Sequence, residues 1–315
     1  MLPHHTGCWP KLIALSLVAL LVNHGLADEG APRLQWQLRP HDRLHSEVTE
    51  EHKTTTIRQG QTTQSDVRIG MWIRWDVQEV SQEGQHRFTQ IVDRMTMEQE
   101  SPNIGRLVYD SSAQQQLLAT EDTVTQSLRD FVGLEFMQTM NRRGEILALK
   151  LSEQGETALR SLPPDSQLRN MLSQDHLKRL VQQICILPEN PVQPGDTWTT
   201  KTIEMTPFGQ MQLDSLYTYL GPEEFRNRLL EKIGMEWTVT PVARDSQPVD
   251  IVIQNQHSTG LLYFDPDAGH LREATVRQEI ALEARVAGQV EQQTVRTASR
   301  MQLVRVPAEP AVTPP

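Results

Sequence analysis

The clearest pattern along the chain is a strict alternation of apolar and polar residues. Between residues 67 and 77, every second position is apolar: Val67, Ile69, Met71, Ile73, Trp75 and Val77. A period of two places these side chains on one face of a β-strand, and a strand of this length extends for about 36 Å. The same alternation returns in residues 232–239 and 280–286. The three segments predict long antiparallel strands with one apolar face, as in a curved meander.

Two parts of the sequence match each other at a nearly constant offset. The Pro-x-Asp step at residues 40–42 returns at residues 194–196, 154 residues later. The Gly-x-Leu-x-Tyr/Phe-Asp step at residues 105–110 returns at residues 260–265, 155 residues later. Matches at almost one offset predict a tandem duplication of a β-meander, each copy opened by a turn that feeds a long strand. The alternative is a coincidence among residues that are common in turns.

Between the two copies, the spacing of apolar residues becomes helical. It predicts a helix over residues 120–131 and a longer helix over residues 165–186, which Pro188 ends. Residues 133–151, between these helices, predict a hairpin that turns at residues 141–144. Because an apolar helical stripe must be buried, we expect the helices to pack on the apolar face of the long strands.

The predicted fold class is α+β, mainly antiparallel β, with two repeated and curved β-meanders that are half-barrel-like and helices packed on one face. The predicted division of the chain is a signal peptide (1–27), a first β-meander repeat (28–110), a helical insertion with a β-hairpin (111–187), a second β-meander repeat (188–306) and a Pro-rich disordered tail (307–315).

The first segment has the features of a secretory signal peptide. Residues 12–22 form an apolar run, and the small residues Gly25 and Ala27 predict cleavage after Ala27. The run is short of the roughly 20 residues that span a bilayer, so we expect no transmembrane segment in the mature chain, with an uncleaved anchor as the alternative. The sequence therefore predicts a protein exported to the periplasm or the extracellular space.

Several of these features resemble those of a known class of proteins. The signal peptide, the turn at residues 194–196, the two Gly-x-Leu steps and the strand that begins at residues 133–136 resemble an uncharacterised family of exported bacterial proteins with duplicated β-rich halves. More loosely, long curved strands that cradle helices are similar to half-barrel periplasmic lipoprotein carriers. The family resemblance implies no catalytic residues.

Charge and cysteine content restrict the partners. The net charge of −10 argues against nucleic acid or an anionic membrane surface, because both select clustered Lys and Arg. Cys185, the one cysteine after the signal peptide, lies among apolar residues, so we expect a buried hydrophobic side chain rather than a reactive thiol.

Motifs for metal binding and catalysis fail on inspection. Residues 265–269 begin like a Ca²⁺ loop, but Gly269 replaces the third oxygen ligand and Val276 the final Glu, so a hairpin turn is the better prediction. His41 and His45 would lie about 13 Å apart on a strand, too far for one zinc ion. We therefore predict no metal, no cofactor and no catalytic residue, and an enzyme is not expected.

The apolar faces of the strands suggest a binding function. Methionine lines surfaces that accept varied partners, whereas ordinary core filling is the alternative. The leading prediction is a non-catalytic exported binding protein of the bacterial envelope that holds an apolar ligand or a protein partner on a concave sheet face. The alternatives are a structural or assembly module of the envelope and, less expected, an unrecognised hydrolase. The predicted ligand-binding residues are Met71, Ile73, Trp75, Met235 and Trp237.

Overall fold

The architecture was obtained as a computed structural model. It describes residues 31–102, 105–113, 129, 132–153, 156–157, 186–206, 209–242, 249–286 and 289–306. The strands within these residues are β1 (Arg43–Arg58), β2 (Gln61–Val80), β3 (His86–Ser101), β4 (Gly105–Asp110), β5 (Glu135–Met140), β6 (Ile146–Leu151), β7 (Thr197–Thr206), β8 (Gly209–Phe225), β9 (Arg228–Pro241), β10 (Val249–Asp265), β11 (His270–Val286) and β12 (Gln289–Val306).

The strands form one antiparallel sheet in the order β6-β5-β3-β2-β1-β12-β11-β10-β9-β8-β7, and β4 pairs with β3 beside this path. Most neighbours in the sheet are neighbours in sequence. There are two exceptions. β5 pairs with β3, and β1 pairs with β12 from Arg43 with Val306 to Arg58 with Glu291. This long-range ladder joins the two predicted halves into one continuous sheet. The division into repeats stays a prediction.

The predicted fold class is wrong about the helices. The described residues contain a single antiparallel sheet and no helix packed against it. The predicted helices over residues 120–131 and 165–186 fall outside the described residues, apart from Arg129 and Ile186. Helical spacing predicts an apolar side of a helix but not the surface against which that side packs. The sheet curls so that its own strands cover much of its apolar face. Among the described residues, no helix is long and apolar enough to cross a membrane.

The sheet curls until its two edges approach each other. Leu149 on β6 and Thr200 on β7 belong to opposite edges, yet both face the same cavity. The segment before β7 links these edges, because the Leu187 amide donates to the Arg143 carbonyl at 2.8 Å and the Trp198 indole donates to the Ile186 carbonyl at 2.7 Å. The apolar face of the strands is therefore on the inside of the curl.

The segment that precedes β1 closes one end of the curled sheet. Its amides at Trp36 and Gln37 donate to the carbonyls of Arg142 and Gly269, at 2.8 and 2.7 Å. Trp36 is buried with its neighbours Leu34 and Leu38 in the main core. Burial of each such side chain contributes on the order of 1.5–3 kcal/mol, so this short segment anchors the closed end.

The two Pro-x-Asp turns have the same local structure. The Arg39 amide donates to Asp42 Oδ2, and the Gln193 amide donates to Asp196 Oδ2, both at 2.7 Å. The residue before each Asp, His41 or Gly195, has a positive φ of 69° or 99°. The hairpin predicted at residues 141–144 is also confirmed, since β5 pairs with β6 and the Gly144 amide donates to the Asn141 carbonyl.

One ladder of the sheet stops before its strands end. β9 and β10 pair only from Glu231 with Phe264 to Glu236 with Thr259, although both strands continue further. Beyond this point the Gln256 side chain makes the hydrogen bonds that a paired backbone would make. Its Oε1 accepts from the Val239 amide at 2.7 Å, and its Nε2 donates to the Val239 carbonyl at 3.1 Å. A single side chain therefore fastens β9 to β10 where their backbones separate.

Candidate functional site

A cavity of about 560 Å³ lies inside the curled sheet. Every strand except β4 contributes at least one side chain to its wall. The volume falls within the range of about 300–1,000 Å³ that is usual for small-molecule sites, and a wall of mostly apolar side chains with a few polar groups is also usual for such sites. This cavity is the candidate functional site.

The structure brings together all five residues predicted to bind a ligand. Met71, Ile73, Trp75, Met235 and Trp237 each line the cavity. The first three lie on β2 and the other two on β9, with four strands between them in the sheet. Only the curl of the sheet places both groups on one wall. Their role in ligand binding stays a prediction.

Aromatic rings seal the closed end of the cavity. Trp75 stacks between Trp36 and Phe88, with ring centroids 6.3 and 5.0 Å away. The Trp75 indole N–H donates to Ser46 Oγ at 3.2 Å, and the Ser46 hydroxyl can donate to the Ile73 carbonyl at 3.4 Å. Because the Trp75 ring is stacked on both faces and its indole nitrogen has a partner, this end of the cavity is a fixed apolar surface.

The methionines of β2, β3, β8 and β9 lie in two places. Met71, Met211 and Met235 line the cavity. Met95 and Met97 belong to a second apolar cluster around Tyr109, next to β4, against which Met71 also packs. The alternation of apolar residues identified strand positions correctly, but it could not separate the cavity wall from this second cluster.

A row of polar side chains crosses the wall toward the other end. The register aligns His52 on β1 with Thr297 on β12, Thr297 with Gln278 on β11, and Gln278 with Ser258 on β10. All of these except Ser258 line the cavity, together with Glu50, which precedes His52 on the same face of β1. Sequence reasoning missed the row because its members come from four strands. The one available signal was that Glu50 and His52 follow Leu44 and Val48 at positions of the same phase on β1.

Three of these side chains form a hydrogen-bonded chain. Glu50 Oε2 lies 3.1 Å from His52 Nε2, and His52 Nδ1 lies 3.2 Å from Thr297 Oγ1. An ionised carboxylate can only accept, so in the neutral imidazole Nε2 donates to Glu50 and Nδ1 accepts from the Thr297 hydroxyl. Gln278 Nε2 donates separately to Ser258 Oγ at 3.2 Å.

The chain of hydroxyl, imidazole and carboxylate contains the pair that a hydrolase would need, a nucleophile near a base. Acyl transfer also requires donors aimed at the developing oxyanion. The backbone of β1 pairs along its whole length with β12 on one side and β2 on the other, which commits its amides to the sheet. The β1 backbone amides therefore do not serve as such donors.

The charge of the cavity wall is one-sided. Among the described lining residues, Glu50 has the only carboxylate, and none is Lys or Arg. Nearby cations on the same strands point to the outer face of the sheet. There Arg68 pairs with Glu51 at 3.1 Å and Arg296 pairs with Glu279 at 3.0 Å. Within the described part of the chain, no group of three or more His, Cys, Asp or Glu side chains is placed to hold a metal ion.

Residues 83–223 match a family of unknown function, DUF6263. The matched residues include the hairpin at 141–144, the turn at 194–196 and the strand at 105–110. This confirms the resemblance to an uncharacterised family. No curated protein matches the sequence.

Three solved structures illustrate what the chain is similar to. A lipovitellin structure, described by its lipid–protein interactions, is 13% identical with a TM-score of 0.47. The match covers 89% of this chain, which spans only 27% of the lipovitellin chain. The hypothetical lipoprotein YmcC from Escherichia coli K12 is 13% identical with a TM-score of 0.25, over 81% of this chain and 86% of that one. A domain from Vibrio parahaemolyticus, described as an outer membrane lipoprotein-sorting protein domain, is 7% identical with a TM-score of 0.14, over 84% and 87%.

Proposed function

We propose that this protein is a non-catalytic binding protein of the bacterial envelope that holds an apolar ligand inside the curled sheet. The observation that carries the proposal is the cavity of about 560 Å³ with a predominantly apolar wall. Protein interiors are normally packed as densely as organic crystals, so a hollow of this size at the centre of a sheet calls for an occupant. The pattern of a signal peptide at residues 1–27 supports export to the periplasm or the extracellular space.

The shape of the cavity favours a small molecule over a protein surface. Strands surround the cavity from β6 round to β7, and the segment that contains Trp36 closes one end. A protein partner would have to insert a side chain or a narrow segment, whereas a flexible apolar chain can enter and fill the space. Met71, Met211 and Met235 provide a wall that adapts to such a chain.

Binding of N-phenyl-1-naphthylamine, a neutral dye that fluoresces in apolar surroundings, tests this proposal. We expect the purified protein to bind the dye saturably, with stronger and blue-shifted fluorescence. Ser299 lines the cavity on β12, so Ser299→Phe should fill part of the space and weaken binding at least about tenfold.

Ala298→Phe provides the matched control, because Ala298 is the preceding residue on β12 and is exposed on the opposite face. This variant should bind the dye as the parent protein does. Absence of saturable binding by the parent protein, or equal losses in the two variants, would contradict the proposal.

A further inference from the structure

The cavity changes from apolar to polar along its axis. On β1, the inward positions pass from Leu44, fully buried at the closed end, to Glu50 and His52. On β12, they pass from Leu303, also fully buried, to Thr297. The side chains of Glu50 and His52 are 33% and 34% exposed, so the polar end is the end that solvent reaches. A molecule inside this cavity would meet an apolar surface along its length and polar groups near the opening.

Several other polar groups in the wall already bond to one another or to the backbone. Ser46 is bonded to Trp75 and Ile73 near the closed end. Gln138 donates through Nε2 to Gln90 Oε1, and both amides are buried between β3 and β5. The carboxylate of Glu50 is bonded to His52 and keeps oxygen lone pairs for a further donor. Glu50 is the one carboxylate among the described lining residues and lies at the end that solvent reaches, so it is well placed to bind the polar end of a ligand.

The sign of this charge selects among ligands. A ligand carboxylate or phosphate beside Glu50 would place two like charges together, and no Lys or Arg is among the described lining residues to compensate. The cations on the outside of the sheet, such as Arg68 and Arg296, are paired with carboxylates of the outer face. A hydroxyl or an ammonium group, in contrast, can donate to Glu50 directly.

We infer that the ligand is an amphiphile whose apolar chain lies in the closed end and whose hydroxyl or amine headgroup donates to Glu50 beside His52 and Thr297. This inference rests on the proposed function, since it presupposes that an apolar chain enters the cavity. The headgroup is neutral or cationic, and the site discriminates against free fatty acids and other anionic amphiphiles.

Displacement of the bound dye by three matched probes tests the inference. Dodecylamine, 1-dodecanol and dodecanoate share one chain length and differ only at the headgroup. With each probe kept below its aggregation concentration, we expect the amine and the alcohol to displace the dye at concentrations at least about tenfold lower than dodecanoate, a difference of about 1.4 kcal/mol.

Two variants test whether Glu50 causes the preference against dodecanoate. Glu50→Gln removes the charge at nearly constant shape and should abolish the preference against dodecanoate. Glu51→Gln, the outward-facing neighbour on the same strand, should retain it. Thermal melting followed by circular dichroism shows whether each variant is folded.

The inference is overturned if dodecanoate competes as well as the amine and the alcohol for the parent protein, whatever the variants do. It is also overturned if folded Glu50→Gln keeps the full preference. Either result would leave dye binding, and with it the proposed function, intact. Failure of the dye to bind the parent protein would instead remove the proposed function itself.

Discussion

Replacement of Trp75 by alanine tests the inward orientation of β2, on which the cavity depends. Trp75 is only 2% exposed, stacks against Trp36 and Phe88, and donates its indole N–H to Ser46. Removal of a buried aromatic side chain costs about 3–5 kcal/mol, which combines the lost transfer energy with the space left behind. That loss is a large part of the roughly 5–15 kcal/mol by which native domains are stable.

The matched control is Trp72→Ala on the same strand. Trp72 lies on the opposite face of β2, where the Arg94 guanidinium sits 4.4 Å from the centre of its ring. A cation–π contact at such a site is worth about 0.5–1 kcal/mol, so we expect this variant to lose about 1 kcal/mol.

Urea denaturation followed by circular dichroism measures both losses, provided that the dependence on urea concentration has the same slope in all three proteins. The Trp75 variant should unfold at a clearly lower urea concentration than the Trp72 variant. Equal losses would refute the reasoning, because they would mean that the inward and outward faces of β2 are assigned incorrectly.

Two further predictions concern stability. Gln256→Ala should lower the free energy of unfolding by about 1–3 kcal/mol, because it leaves the Val239 amide and carbonyl without their partner. Gln254→Ala, at an exposed position of the same strand, should change it little. Urea denaturation measures both, and equal midpoints for the two variants would contradict the role of Gln256. Burial lowers the pKa of both His86 and His270 below the ordinary value of 6.5. The unfolded chain therefore binds more protons, and stability should fall as the pH drops through about 6.5, with each imidazole contributing a slope of at most about 1.4 kcal/mol per pH unit. Stability that stays constant or rises between pH 7.5 and pH 6 would count against neutral, buried imidazoles.

The local parts of the fold could be predicted because alternation and turn residues act over short distances. The inward phase of Trp75 and Trp237 and the turn at residues 141–144 follow from neighbours within a few positions. The pairing of β1 with β12 could not be predicted in this way, because it joins residues as distant as Arg43 and Val306. The predicted packing of helices was wrong for a related reason. An apolar strand face indicates that other side chains cover it, but it does not show whether those side chains belong to helices or to other strands.

The polar row was also beyond local reasoning. On its own strand, Glu50 reads as a solvated charge, and only the register with β12 brings His52 against Thr297. The cavity itself depends on the curl of the whole sheet, which no single strand reveals. The alternation thus indicated the inward face of β2 and β9, but it did not identify Glu50, which carries the charge of the wall.

Native mass spectrometry of the protein purified from its own compartment tests the central claim most directly. We expect an adduct of one small amphiphile per chain, which organic solvent releases and which carries a hydroxyl or amine rather than an acid. A single mass equal to that of the polypeptide, together with no uptake of the dye or of the dodecyl probes, would contradict the existence of an apolar binding cavity.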